Sequence, residues 1–250
     1  MIYVYDGSWD GLMCLVYRTA EDGCVPEDIL RSEAAEQGIL FATTQICNDP
    51  GTAEATSAVL KKRVSRLMLS DIWRALLSED EGVDMALWRT LANIWRLGEK
   101  AEMDLADESI FAVRRASMKT GREYEKYLGL VRFKDVGGLF YAELEPECDV
   151  IALLARHFSD RLSDKGWVLH DLRRRRAAIY DTKRWVIADM DLPQAPSATA
   201  EEKAYQELWK EFYRSTTTRE RLNYRVQRGH MPKKYWKHLV ENPGEFHGKA

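Results

Sequence analysis

The residues best suited to chemistry lie near the C-terminus, between Thr216 and Glu241. There Arg219, Arg221, Arg225, Arg228, Lys233, Lys234 and Lys237 face only Glu220 and Glu241, with Tyr224, Tyr235 and Trp236 among them. Cations attract phosphates, and flat rings offer stacking surfaces for bases. Arg221, Asn223, Arg225, Arg228, Lys233, Lys234, Tyr235 and Trp236 are therefore candidate DNA contacts. Arg122 and Arg132 extend the set if they line one groove with the tail. The same stretch also fits a structural role, in which Leu222, Val226, Met231, Trp236 and Leu239 seat it and the cations are simply solvated.

A second possibility sits at the other end. Ile2 to Tyr5 reads as a strand, Asp6-Gly-Ser8 as its turn, and Trp9 to Ala20 as a helix. Asp6 and Asp10 are the candidate catalytic residues, since paired carboxylates can hold magnesium for phosphodiester chemistry. Glu123 and His170 are the further groups such a site would recruit. Against this stands the ordinary use of Asp6 or Ser8 as a helix cap. Two aspartates are few ligands, and the glycine pattern of a phosphate loop is missing. Cys14, Cys24, Cys47 and Cys148 form no close pair, and the five histidines are scattered, so neither a metal site nor a cofactor is expected.

The elements that must position these residues follow from the apolar pattern. The chain has 250 residues, 45% hydrophobic and 31% charged, with net charge −3, which suits a soluble globular protein. That slight acidity requires any DNA affinity to come from local asymmetry. No membrane-spanning run or basic leader is read, and the expected location is the cytoplasm. Gly38 to Cys47 reads as a strand, Thr52 to Leu77 as one long helix, and Val83 to Lys100 as another. A third helix runs from Asp104 or Asp107 to about Tyr127. Leu130 to Phe133 and Leu139 to Leu144 flank a Gly-Gly turn like a hairpin; a helix over Val150 to Leu162 follows. Trp167–His170, Ala177–Tyr180 and Arg184–Ala188 are then three strands.

The predicted fold class is α+β, an antiparallel sheet with helices packed on one side plus a helical layer. The expected organisation is a body over 1–190, with the helical layer at about 52–127, and a linker over 191–199. A C-terminal helical tail over 200–250 packs back on the body, with Arg221 the partner foreseen for Asp6 or Asp10. Because Pro232 precedes an extended segment in this reading, Tyr235 and Trp236 point opposite ways, one buried and one partly exposed.

Three pieces carry a family resemblance. They are Tyr3-Val-Tyr-Asp-Gly-Ser-Trp-Asp-Gly-Leu12, Gly121-Arg-Glu-Tyr-Glu-Lys-Tyr-Leu-Gly-Leu-Val-Arg-Phe133, and the tail with Glu220-Arg, Asn223, Gln227 and Met231-Pro-Lys-Lys-Tyr-Trp-Lys237. Together they resemble bacterial DNA-metabolism proteins built on a domain of unknown function. Members are encoded beside a radical-SAM DNA modification or repair protein, and some are fused to a uracil-DNA-glycosylase-like domain. The resemblance implies a DNA-metabolism accessory protein, binding DNA or serving as adaptor to a radical-SAM enzyme. A metal-dependent enzyme acting on DNA through Asp6 and Asp10 is the alternative, and a pure protein-interaction module is a second one. The family supplies no catalytic residues to carry over.

Overall fold

A computed structural model describes residues 1–32, 42–104, 106–216 and 223–241, and the chain divides into two compact units, residues 1–121 and 122–250.

In the first unit, strand β1 (Ile2–Tyr5) is the middle of a parallel three-stranded sheet, between β2 (Asp28–Arg31) and β3 (Thr43–Gln45). Tyr3, Val4 and Tyr5 are all buried, as expected of a central parallel strand covered on both faces. Helix α1 (Trp9–Asp22) makes the crossover from β1 to β2 and buries Leu12, Leu15 and Val16. Sequence pattern missed β2, whose Asp-Ile-Leu-Arg carries only two apolar residues. Of the strand expected over 38–47, residues 38–41 lie outside the described residues, and the rest contains β3.

The single helix expected over 52–77 is two, α2 (Pro50–Lys61) and α3 (Arg66–Leu76). Ser65 divides them, its hydroxyl accepting from the Met68 amide at 3.1 Å, a bond that favours a helix start over a helix interior. Helix α4 (Val83–Leu97) adds Leu87, Leu91 and Ile94 to the core and continues as a 3-10 turn over Gly98–Met103. A partly buried polar hub ties α4 to the sheet. There Arg31 makes a bidentate contact with Asp84, which also accepts from the Tyr5 hydroxyl.

Helix α5 (Glu108–Leu130) contains the boundary between the units. In the second unit a five-stranded sheet has the order β4 (Lys134–Asp135), β5 (Phe140–Leu144), β6 (Trp167–Asp171), β7 (Arg176–Tyr180), β8 (Trp185–Asp189). The α+β class holds, but the all-antiparallel expectation does not. β5 and β6 are parallel, because α6 (Ile151–Arg161) carries the chain back across the sheet between them. The foreseen hairpin is shorter too: Leu130 to Phe133 is helix end and loop, and only Lys134 and Asp135 pair with β5.

One face of this sheet presents Ala142, Leu144, Trp167, Leu169, Ala178 and Tyr180 to Ile151, Leu154 and Phe158 of α6. The other carries Tyr141, Val168 and Ala177 with Met190 and Ala195. After 191–199 come α7 (Ala200–Thr216), α8 (Tyr224–His230) and a 3-10 turn over Lys233–His238. Among the described residues no helix is long and apolar enough to cross a membrane.

Candidate nucleic-acid interface

The middle and tail motifs hold each other. Glu123, on α5 and only 5% exposed, accepts from the backbone N–H of Glu147 at 3.1 Å and of Cys148 at 2.6 Å. The ammonium of Lys234 completes its shell at 2.8 Å and also reaches Glu147 at 3.0 Å. Burial alone pushes a carboxyl upward. Here Lys234 and the two amides outweigh it and hold Glu123 below its ordinary range, while the lysine is raised. One turn further along α5, Tyr127 meets Tyr235 edge to face at 4.9 Å between ring centroids. Lys126 donates to the carbonyls of Gly229 and His230, both at 3.0 Å, neutralising the carbonyl end of α8. Arg132 pairs with Glu241, whose carboxylate is 2% exposed and also accepts from the Trp209 indole at 3.2 Å.

Several tail residues, Asn223 and Trp236 of the proposed DNA contacts among them, thus have a fold-building task. Asn223 is the N-cap of α8, accepting from Val226 N at 3.1 Å. Gln227 donates to the Tyr213 hydroxyl, and the Trp236 indole to the Met231 carbonyl. Lys237 pairs with Glu145. Glu123, foreseen as a group that a catalytic site would recruit, is paired with Lys234 instead, a residue 111 positions away that local reading could not select. Tyr235 is buried and Trp236 half-buried, the division of labour expected. Its cause is a 3-10 turn rather than an extended segment.

What is left outward is a short cationic surface. Arg225 and Arg228 are exposed on α8, and Lys233 is exposed with its ammonium 5.9 Å from the Trp236 ring centroid. None of the three has a carboxylate partner among the described residues. Arg122 is exposed one helical turn before Lys126, the residue that grips the end of α8. Arg221 lies outside the described residues, so its foreseen contact with Asp6 or Asp10 does too.

The N-terminal carboxylates are placed by the end of β1. Asp6 accepts from the backbone N–H and hydroxyl of Ser8 at 3.0 and 2.7 Å, and from the Asn48 amide at 2.6 Å. Burial raises its carboxyl, but these donors win and lower it. Ser8 in turn caps α1 through Gly11 N at 3.0 Å. Gly11 is required: a Cβ there would stand 2.2 Å from an Asp6 oxygen and 3.0 Å from the Tyr5 ring. Asp6 therefore staples the ends of β1 and β3, and Asp10 is exposed on the first turn of α1. His170 uses both ring nitrogens, bonding the Tyr141 hydroxyl at 2.6 Å and the Met190 carbonyl at 3.0 Å. A carbonyl only accepts, so the Nε2 carries the proton and Nδ1 accepts from Tyr141. Among the described residues no group of three or more His, Cys, Asp or Glu is arranged to hold a metal ion.

An α+β chain whose C-terminal elements lock onto one long helix and leave a cationic edge is the class that fold and site define. Residues 81–241 match the family described as a domain of unknown function, DUF4130, and the chain belongs to that family. The match starts just before α4 and ends at Glu241, the buried carboxylate that anchors Arg132. No curated protein matches the chain.

Proposed function

We propose that this protein is a DNA-metabolism accessory factor that holds a nucleic-acid backbone on the surface formed by Arg122, Arg225, Arg228 and Lys233. The observation that carries the reading is selective neutralisation. Lys234, Lys237 and Arg132 are consumed by carboxylates, whereas Arg225 and Arg228 are exposed three residues apart on α8 and Lys233 is exposed against the half-buried Trp236 ring. Phosphate contacts of this kind position a protein on DNA without specifying sequence. That suits a binding or adaptor subunit of a radical-SAM DNA modification or repair enzyme, the partner implied by the family resemblance. The carboxylates of Asp6 and Glu123 and the ring of His170 are occupied in building the fold, which favours binding over catalysis.

Fluorescence anisotropy with a labelled oligonucleotide at low salt tests the proposal. Binding in the micromolar range, lost on Arg225→Glu with Arg228→Glu, supports it. No binding by the wild type, or equal binding by the double variant, refutes it.

A further inference from the structure

Helix α7 faces the wrong way for a helix of a monomer. Amphipathic helices bury the apolar stripe and wet the polar one. In α7 the most covered positions are Glu202, Gln206, Lys210 and Tyr213. The apolar positions Tyr205, Leu208, Trp209 and Phe212 remain 62%, 66%, 43% and 55% exposed. Their spacing of three and four residues makes them one continuous stripe. The Trp209 indole is tethered to the buried Glu241, and its ring lies 5.7 Å from that of Phe212, so the stripe is held rather than loose.

We infer that this stripe is the interface with a second copy of the chain, packed as an antiparallel pair of α7 helices about a two-fold axis. Three features select a second copy. An isologous interface needs knobs and a recess on one surface, so that each copy fills the other. Leu208 and Phe212 protrude, and beside them runs a groove of about 520 Å³ with apolar walls of Phe133, Tyr205, Trp209 and Val240 and three polar lining side chains. Charge is also self-complementary in net terms: Glu201, Glu202 and Lys203 leave the first turn of α7 acidic, while the last turn carries Arg214, which lies 3.5 Å from Glu211 of its own helix and is still half-exposed. Antiparallel pairing sets each acidic end against the basic end of its mate. Finally, the area is adequate. Large aromatics bury about 150–250 Å² when fully covered. At these exposures the stripe and groove walls of two copies lose on the order of 1,000 Å², the lower bound for a specific interface.

Light scattering coupled to gel filtration, run from low to high micromolar protein, tests the inference. The wild type should move toward twice the 28.9 kDa monomer mass as concentration rises. Leu208→Glu with Phe212→Glu should stay at monomer mass with an unchanged circular dichroism spectrum, since both side chains are exposed in the single copy. Should that variant misfold, Leu208→Cys gives a second route: oxidation should trap a covalent dimer, while Glu207→Cys on the polar side should not exceed the wild-type background. A wild type that stays monomeric throughout, or a dimer that survives both glutamates, overturns the proposal. So does equal trapping by the two cysteine variants.

Discussion

Replacing Glu123 by Gln removes one charge without changing the shape of the side chain. The carboxylate sits 5% exposed, with one oxygen shared by Glu147 N and Lys234 and the other taken by Cys148 N. Glutamine can present its single oxygen to one of these directions only, so its NH2 must face a donor on the other. If the oxygen stays with Lys234, the Cys148 amide loses its acceptor in a buried place, at a cost of about 1–3 kcal/mol. Loss of the carboxylate charge from the retained bond to Lys234 adds about 1 kcal/mol. That increment is discounted because the lysine side chain is 40% exposed and can rehydrate. The expected loss is about 3 kcal/mol, the lower end for breaking a buried pair from the buried side. Removing the other partner, Lys234→Met, should cost only about 1–2 kcal/mol, because both amides still hold the carboxylate. Urea unfolding followed by tryptophan fluorescence reads both values from midpoint shifts at constant slope. If Glu123→Gln falls within about 0.5 kcal/mol of the wild type, or costs less than Lys234→Met, Glu123 and Lys234 do not lock the tail to α5.

Gly11→Ala should destabilise the first unit by at least 2 kcal/mol in the same assay, since the added methyl would overlap Asp6 beside the Tyr5 ring; an unchanged midpoint refutes it. Asn48→Ala should cost about 1 kcal/mol by leaving the Asp6 oxygen without its side-chain donor, read by the same unfolding curve. Acid should weaken the second unit. Glu123 and Glu241 are both held below the ordinary glutamate value of about 4.3, so their stabilisation is full above it and is lost as pH falls through their depressed values. Midpoints measured from pH 7 down to 3 should drop chiefly below about pH 4.5, and the drop should shrink in Glu123→Gln. Reversing Lys234 together with Arg225, Arg228 and Lys233 is a poor test of DNA binding, because it places a second carboxylate against Glu123. Arg225→Glu with Arg228→Glu should leave the unfolding midpoint within about 0.5 kcal/mol of wild type.

Residues with a local signature were legible in the sequence. β1, the helix starting at Trp9, the strands from Trp167 to Asp189 and the stripe of α7 follow directly from apolar periodicity. Which face of α7 turns inward did not, because periodicity reports a stripe and not its partner. Parallel pairing of β5 with β6 was hidden for a related reason: only the path of α6 decides it. In sequence the tail is a run of cations, and composition cannot separate Lys234, spent on Glu123, from Arg225, left in solvent. That distinction lives in contacts more than 100 residues apart. Two of the three motifs behind the family resemblance, the middle and the tail, find their physical explanation there, since Glu123, Lys126, Tyr127 and Arg132 are matched to Lys234, α8, Tyr235 and Glu241.

The most direct test of the proposed function is the salt dependence of duplex DNA affinity. Four phosphate contacts, from Arg122, Arg225, Arg228 and Lys233, give a log–log slope of about −3.6, or a roughly 100-fold loss between 50 and 200 mM salt. Neutralising both, Arg225→Ala with Arg228→Ala, should halve that slope. A slope near zero, or one that the double variant leaves unchanged, would contradict the assignment of this surface to DNA.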